Sequence, residues 1–133
     1  MSNHKERTLA RECIVKILYQ HDMTEYNFKS IEKTFIEKRK YDDVYFKNLL
    51  DLLDVNLLFI DKFIEENTDL KLNDLSPIDK SIIRLAICEF LYREDIPEKV
   101  TINESISIAK KFSTDASYKF INNVLDQLYK YIS

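Results

Sequence analysis

Hydrophobic residues recur along the start of the chain at spacings of three and four residues, which predicts amphipathic helices. The first helix is predicted from about Glu6 to His21. Its apolar face consists of Leu9, Ala10, Cys13, Ile14, Ile17 and Leu18. A short second helix is predicted around Ile31, Phe35 and Ile36, after a polar turn.

A long third helix is predicted to begin after Asp42, whose side chain suits an N-cap. Its main apolar stripe consists of Phe46, Leu49, Leu50, Leu53, Leu57, Ile60 and Ile64. Further apolar residues lie beside this stripe, namely Leu52, Val55, Leu58 and Phe59. Because so much of its surface is apolar, we expect this helix to be the central one of the fold.

A fourth helix is predicted from the sequence Ser76-Pro77-Ile78-Asp79, which combines a capping hydroxyl, a proline at the first helical position and an early acid. It should stop near Arg93, because the residue before Pro97 is disfavoured from the helical region. Its apolar residues are Ile78, Ile82, Ile83, Leu85, Ala86, Phe90 and Leu91.

The last part of the chain predicts two more helices. Thr101-Ile102-Asn103-Glu104 has the spacing of a capping box and predicts the start of a fifth helix, with Ile102, Ile106, Ala109 and Phe112 facing inward. A sixth helix should follow Ser113 to Asp115, with Phe120, Ile121, Val124, Leu125 and Leu128 facing inward. No segment shows sustained alternation of apolar and polar residues. We therefore predict one all-α domain over residues 1–133, a compact bundle of about six or seven helices.

The composition narrows the class of protein. The chain has 133 residues, of which 45% are hydrophobic and 32% charged, as in an ordinary soluble domain. It contains no glycine, which excludes the standard glycine-rich phosphate loops, dinucleotide fingerprints and nucleophile elbows. No apolar run reaches the about 20 residues of a membrane helix, and no secretory signal is present at the start. We expect a cytoplasmic protein without a membrane segment.

The residue types that carry catalysis are sparse. His4 and His21 are the only histidines, and neither has a second ligand at metal spacing. Cys13 and Cys88 lie among apolar residues and are predicted to be small buried hydrophobes. We therefore expect no metal, no cofactor and no enzymatic activity. The net charge of −3 also means that any nucleic-acid contact needs a local basic patch.

Two basic segments are candidates for such a patch. On the first helix Arg7 and Arg11 lie one turn apart, with Lys5 and Lys16 elsewhere on the polar face and Tyr19 about two turns beyond Arg11. These residues also fit an ordinary solvated helix face, and the pattern alone favours that interpretation. Near the start of the last helix, Lys119 and Phe120 could bind a phosphate and stack a base, although Phe120 is also spaced as a core residue.

Four blocks of sequence resemble the NusB antitermination family in order and spacing. They are RTLARECIVKILYQ, LSPIDKSIIRLAICEF, IPEKVTINESISIAKKF and DASYKFINNVLDQL. The resemblance covers nearly the whole chain, except for about Asp22 to Tyr41. It implies a helical fold of two small bundles without catalysis. It also implies a factor that binds boxA-type single-stranded RNA of ribosomal operons together with NusE and joins the RNA polymerase antitermination complex. The resemblance also allows a homodimer.

The resemblance also assigns candidate residues. RNA contacts are implied for Lys5, Arg7, Arg11, Tyr19, Lys119 and Phe120. NusE contact is implied for Glu89 and, less directly, for Arg84, which could instead be a structural ion-pair partner. The family usually begins with several arginines, whereas this chain has Lys5-Glu6-Arg7-Thr8-Leu9. Its own affinity for RNA should therefore be low and its dependence on NusE high.

Two other functions fit the same helices. NusB-like folds also occur as the N-terminal modules of ribosomal-RNA cytosine methyltransferases, so an accessory role in ribosomal-RNA processing is one alternative. The other is a protein-interaction scaffold that has lost RNA binding, which the acidic balance permits.

Overall fold

Six α-helices form the part of the chain that the computed structural model describes, residues 3–132. They are α1 (His4–Thr24), α2 (Phe28–Thr34), α3 (Asp43–Glu66), α4 (Pro77–Tyr92), α5 (Glu98–Phe112) and α6 (Ser117–Tyr129). A single 3-10 turn, Leu72–Asp74, lies between α3 and α4. No strand occurs in these described residues, which confirms the all-α class.

The helices form two small groups that meet at α4. Helix α1 packs on α2 and α3, while α5 packs on α6. Helix α4 packs against α1, α3, α5 and α6. Every residue from Asp79 to Phe90 is buried. The central helix is therefore α4, and the expectation that α3 is central was wrong.

Helix α3 is apolar on its outer side as well as toward the core. The main stripe is buried at Phe46, Leu49, Leu53, Ile60 and Ile64, as predicted. The apolar residues beside it, however, are largely in solvent: Val55 is 81% exposed, Leu58 88% and Phe59 54%. Periodicity predicts which residues share a face, but it does not distinguish a face packed in the core from one left open.

Local capping signals place the helix starts with mixed accuracy. Asp42 caps α3 by accepting a hydrogen bond from the Tyr45 amide, and Ser76 caps α4 by accepting one from the Asp79 amide. Helix α5, in contrast, begins at Glu98, directly after Pro97, and not at Thr101. Thr101 lies inside the helix and is buried, so the predicted capping box was wrong.

The ends of α1 and α2 also differ from the predicted ones. Helix α1 continues to Thr24 and is closed by Glu25, which has a left-handed backbone with φ 63°. Helix α2 ends at Thr34, so Phe35 and Ile36 lie beyond it. Phe35 stacks on Phe46 with 6.1 Å between ring centroids, whereas Ile36 is 78% exposed. Phe35 was predicted to lie in the helix, but it lies beyond the helix end and packs against Phe46 of α3 instead.

Both cysteines are free thiols in the core, which confirms their prediction as buried hydrophobes. Burial raises the pKa of Cys13 to about 12 and that of Cys88 to about 12, since desolvation disfavours the thiolate. Both thiols therefore stay protonated at neutral pH.

Replacement of Ser76 by alanine tests the start of the central helix. We expect Ser76→Ala to lower the free energy of unfolding by about 1 kcal/mol, because the Asp79 amide loses its side-chain acceptor. Chemical denaturation of both proteins measures the difference. Ser76→Asn keeps a capping oxygen and should lose much less; equal losses in the two variants would contradict the capping role.

Candidate nucleic-acid interface

Three arginines surround the ring of Tyr45, near the start of α3. Their guanidinium carbons lie 4.4 Å (Arg7), 5.2 Å (Arg11) and 4.7 Å (Arg93) from the ring centroid. Arg7 also lies 3.7 Å from a carboxylate oxygen of Asp42. The Tyr45 ring is buried, and its hydroxyl donates a hydrogen bond to Glu89. This arrangement fixes Arg7 and Arg11, which we call the basic edge of α1, against α3.

Arg11 lies inside this arrangement, with 2% of its surface exposed. Its guanidinium donates to Glu89 Oε2 at 2.7 Å, to Glu104 Oε1 at 2.8 Å and to the Tyr45 hydroxyl at 3.1 Å. Burial by itself would lower the pKa of Arg11, but the neighbouring Glu89 and Glu104 carboxylates raise it above its usual value. A guanidinium held in this way has its donors occupied by groups of the chain itself, which favours a structural role for Arg11. The RNA contact of Arg11 stays a prediction.

Glu89 is the buried anion that Arg11 neutralises. It is 1% exposed, and its second carboxylate oxygen accepts a hydrogen bond from Thr101 at 2.8 Å. This depth argues against the direct NusE contact that the resemblance implied, because a partner's surface has no access to the carboxylate. The shared network ties α1, α3, α4 and α5 together.

Arg84 is also placed as a structural residue. It is 8% exposed and binds both oxygens of Asp61 on α3, at 2.8 and 2.7 Å. Beside it, Lys80 donates to Asp22, near the end of α1, at 2.7 Å. This geometry favours the ion-pair alternative for Arg84 over contact with a partner.

A basic cleft of about 530 Å³ lies on the other side of α1. Its cations come from three parts of the chain: Lys5 from α1, Arg39 and Lys40 from the loop between α2 and α3, and Lys111 from α5. The main-chain amide of Asp42 donates to the carbonyl of Glu6 at 3.1 Å, which holds the loop against α1. This hydrogen bond therefore helps to hold the two sides of the cleft in place.

The cations of the cleft differ in how far they are neutralised. Lys111 donates to Glu12 at 2.8 Å, and Arg39 binds both oxygens of Glu37. The hydrogen bonds from Arg39 lower the pKa of Glu37 to about 2, so this pair stays charged at neutral pH. Lys5 and Lys40, in contrast, have no ion-pair partner within the described residues. They are the cations most available to an anionic ligand.

The cleft includes residues that the sequence interpretation did not select. Of the predicted RNA-binding residues, all of which lie within residues 3–132, Lys5 alone lines it. Arg39 and Lys40 lie in the segment that the resemblance left uninformative. The run Lys38-Arg39-Lys40 was the available signal, since consecutive cations in a loop often mark nucleic-acid patches.

The remaining candidates lie outside the cleft. Lys119 is exposed near the start of α6, and Phe120 is half-buried and packed against the core. The start of this helix is held by buried Asp79, which accepts hydrogen bonds from Ser113 at 2.9 Å and Ser117 at 3.2 Å. Tyr19 is half-buried on α1. The structure does not bring these aromatic side chains together with the cleft.

Neither a metal site nor a membrane-spanning helix is found in the described residues. No group of three or more His, Cys, Asp or Glu side chains is arranged to hold a metal ion in residues 3–132. In the same range, none of the helices has the length and hydrophobicity that crossing a membrane requires.

Sequence relatives of the chain are transcription antitermination proteins. Residues 8–130 match the NusB family. The transcription antitermination protein NusB of Shewanella denitrificans is 39% identical over 126 residues, which cover 92% of this chain and 95% of that protein. The NusB of Proteus mirabilis is 38% identical over 124 residues, which cover 91% of this chain and 90% of that protein.

Solved structures of NusB proteins share the fold. The T. maritima NusB has a TM-score of 0.84 and 32% identity, and the match covers 98% of this chain and 94% of that one. A NusB solved in complex with NusE and double-stranded RNA has a TM-score of 0.79 and 25% identity. That match covers 96% of this chain and 98% of the other. Since family, relatives and fold agree over nearly the whole length, the chain belongs to the NusB family.

Proposed function

We propose that this protein is a cytoplasmic transcription antitermination factor that binds boxA-type RNA of ribosomal operons together with NusE and joins the RNA polymerase antitermination complex. The observation that carries the proposal is the match over 96% of the chain to a NusB that forms a complex with NusE and RNA. The role is one of binding and assembly, not of catalysis.

The proposed RNA surface combines the basic edge of α1 with the cleft beside it. Lys5 and Lys40 would contact phosphates, which attract cations regardless of base sequence. Arg7, held over Tyr45 and partly exposed, would add a third cation. Lys119 would contact the backbone near α6, where the half-buried Phe120 presents part of a ring to a base. Tyr19 is the second candidate for stacking.

NusE would supply affinity that this chain lacks. The net charge is −3, and two cations of the cleft are already paired with carboxylates. Since sequence-independent affinity for RNA depends on the number of phosphates neutralised, the isolated protein should bind weakly. A partner that contributes further cations and holds the RNA in register would raise the affinity.

A mobility-shift assay tests the proposal. We expect the protein with NusE to retain a boxA-containing single-stranded RNA more tightly than either protein alone, with an affinity that falls as salt rises. A scrambled RNA and a duplex RNA of equal length serve as controls for sequence and strand form. If no RNA is retained at low salt while NusE still binds, the protein is instead an interaction scaffold.

A further inference from the structure

Two carboxylates hold cations of the basic cleft in ion pairs within the chain. Lys111 donates to Glu12 at 2.8 Å, and Arg39 donates to Glu37 at 2.9 and 3.2 Å. The side chains of the two acids are covered, with 9% (Glu12) and 8% (Glu37) of their surface exposed. Those of their cations are 49% and 54% exposed. A ligand that enters the cleft therefore meets cations whose charge is already balanced by the protein.

Glu37 binds more than one cation. Its carboxylate also lies 3.6 Å from the ammonium of Lys16 on α1. The main-chain amide of Arg39 donates to the same carboxylate at 3.1 Å, so the loop is folded around this acid. The pKa of Arg39 is raised, first by its hydrogen bond with Glu37 and further by the charges of Glu37 and Glu12. Both acids therefore offset the charge that Arg39 presents to the cleft.

The paired cations keep free donors, but they are not equivalent to unpaired lysines. An ammonium has three N–H donors and a guanidinium five, so Lys111 and Arg39 can still donate to a phosphate. A phosphate bound there also comes close to the carboxylate of the pair, and the two anions repel each other. Because the carboxylates are covered, salt screens this repulsion less than at an exposed site. Lys40, the neighbour of Arg39 in the loop, forms no ion pair within the described residues.

We propose that Glu12 and Glu37 restrain the binding of RNA to the cleft, because each offsets a cation that would otherwise attract a phosphate. This rests on the proposed function, since it concerns the same surface. A repulsive element of this kind discriminates among ligands. An RNA held by charge alone gains little from the paired cations, whereas an RNA held in register by a partner can use their remaining donors. The two acids therefore lower the affinity for RNA in general and make binding depend more on the partner.

Fluorescence anisotropy with the isolated protein and a mixed-sequence single-stranded RNA tests the proposal. Glu37→Gln keeps an oxygen for the Arg39 amide but removes the negative charge. We expect it to raise the RNA affinity by about 3- to 10-fold at low salt, and Glu12→Gln to raise it by about threefold. The magnitude of the slope of log affinity against log salt should increase by about 0.7 for each cation released.

Glu66→Gln is the matched control for the change in net charge. Glu66 also pairs with a lysine, Lys62 at 3.7 Å, but it does not line the cleft. Its replacement should change the RNA affinity by less than about twofold, because distant exposed charges are screened. The melting temperature of each variant shows whether it is folded. If neither Glu12→Gln nor Glu37→Gln gains affinity beyond this control, the proposal is wrong.

A comparison of two neighbouring cations tests the same idea without altering a covered acid. Arg39 and Lys40 are both exposed, but only Arg39 is paired with Glu37. Arg39→Gln should therefore lower the RNA affinity less than Lys40→Gln, and in the Glu37→Gln background the two losses should become similar. Equal losses in the otherwise unchanged protein would overturn the proposal. Neither outcome bears on the proposed function, which the assay with NusE and boxA-containing RNA tests separately.

Discussion

Replacement of Arg11 by methionine is expected to lower the free energy of unfolding by about 3–5 kcal/mol, because it leaves buried carboxylates without their cation. Glu89 is 1% exposed and Glu104 7%, so water cannot replace the guanidinium without opening the core. Methionine keeps most of the side-chain volume, which restricts the loss to charge and hydrogen bonds. Urea denaturation followed by circular dichroism measures the change.

Arg39→Met is the matched control for this prediction. Arg39 also binds a carboxylate, but its side chain is 54% exposed, and exposed ion pairs contribute about 0–1 kcal/mol. If Arg11→Met were as mild as Arg39→Met, the buried network would not carry the stability that its geometry indicates. If Arg11→Met stayed fully folded but lost RNA binding, Arg11 would be an RNA contact after all.

Reversal of the two unpaired cations of the cleft is expected to weaken RNA binding strongly. We predict that Lys5→Glu/Lys40→Glu lowers the affinity of the protein with NusE for RNA by about 10- to 100-fold at low salt, since two phosphate contacts become repulsive. The magnitude of the slope of log affinity against log salt should decrease by about 1.4, because two fewer phosphates of a single strand are neutralised and fewer counterions are released. Fluorescence anisotropy over a salt series measures both quantities.

The control for the cleft keeps the same change in net charge. Lys71→Glu/Lys99→Glu reverses two exposed lysines that do not line the cleft, so its effect on RNA binding should be small. Both double variants should still bind NusE in a pull-down without RNA. Equal losses of RNA affinity in the two would mean that net charge, and not the cleft, determines binding.

Sequence patterns predicted most of the fold because helix periodicity and capping are local. Asp42 and Ser76 cap the helices that they were predicted to cap, and each does so through an amide three residues away. The start of α5 was mispredicted because Thr101 is engaged by a distant residue: its hydroxyl donates to Glu89 on α4. A local motif cannot reveal that competing contact.

The candidate site was harder to predict because the burial of a side chain depends on tertiary packing, which local sequence patterns do not show. Arg11 and Glu89 were selected as surface contacts from their positions in the family blocks, yet they neutralise each other across 78 residues of sequence. The loop cations Arg39 and Lys40 were overlooked because no periodic pattern surrounds them. They join the site through tertiary contacts between the loop and α1, among them the hydrogen bond from the Asp42 amide to the Glu6 carbonyl and the ion pair of Lys16 with Glu37.

The buried network also sets the order of events during synthesis. Arg11 receives its second carboxylate from Glu104, which lies 93 residues later in the chain. While the protein is still being synthesised, Arg11 on the first helix has been made, but Glu89 and Glu104, which bind its guanidinium, have not. The basic edge of α1 therefore acquires its final geometry only after α5 has been made. A nascent fragment that ends before α5 should not present the complete surface that we propose for RNA binding.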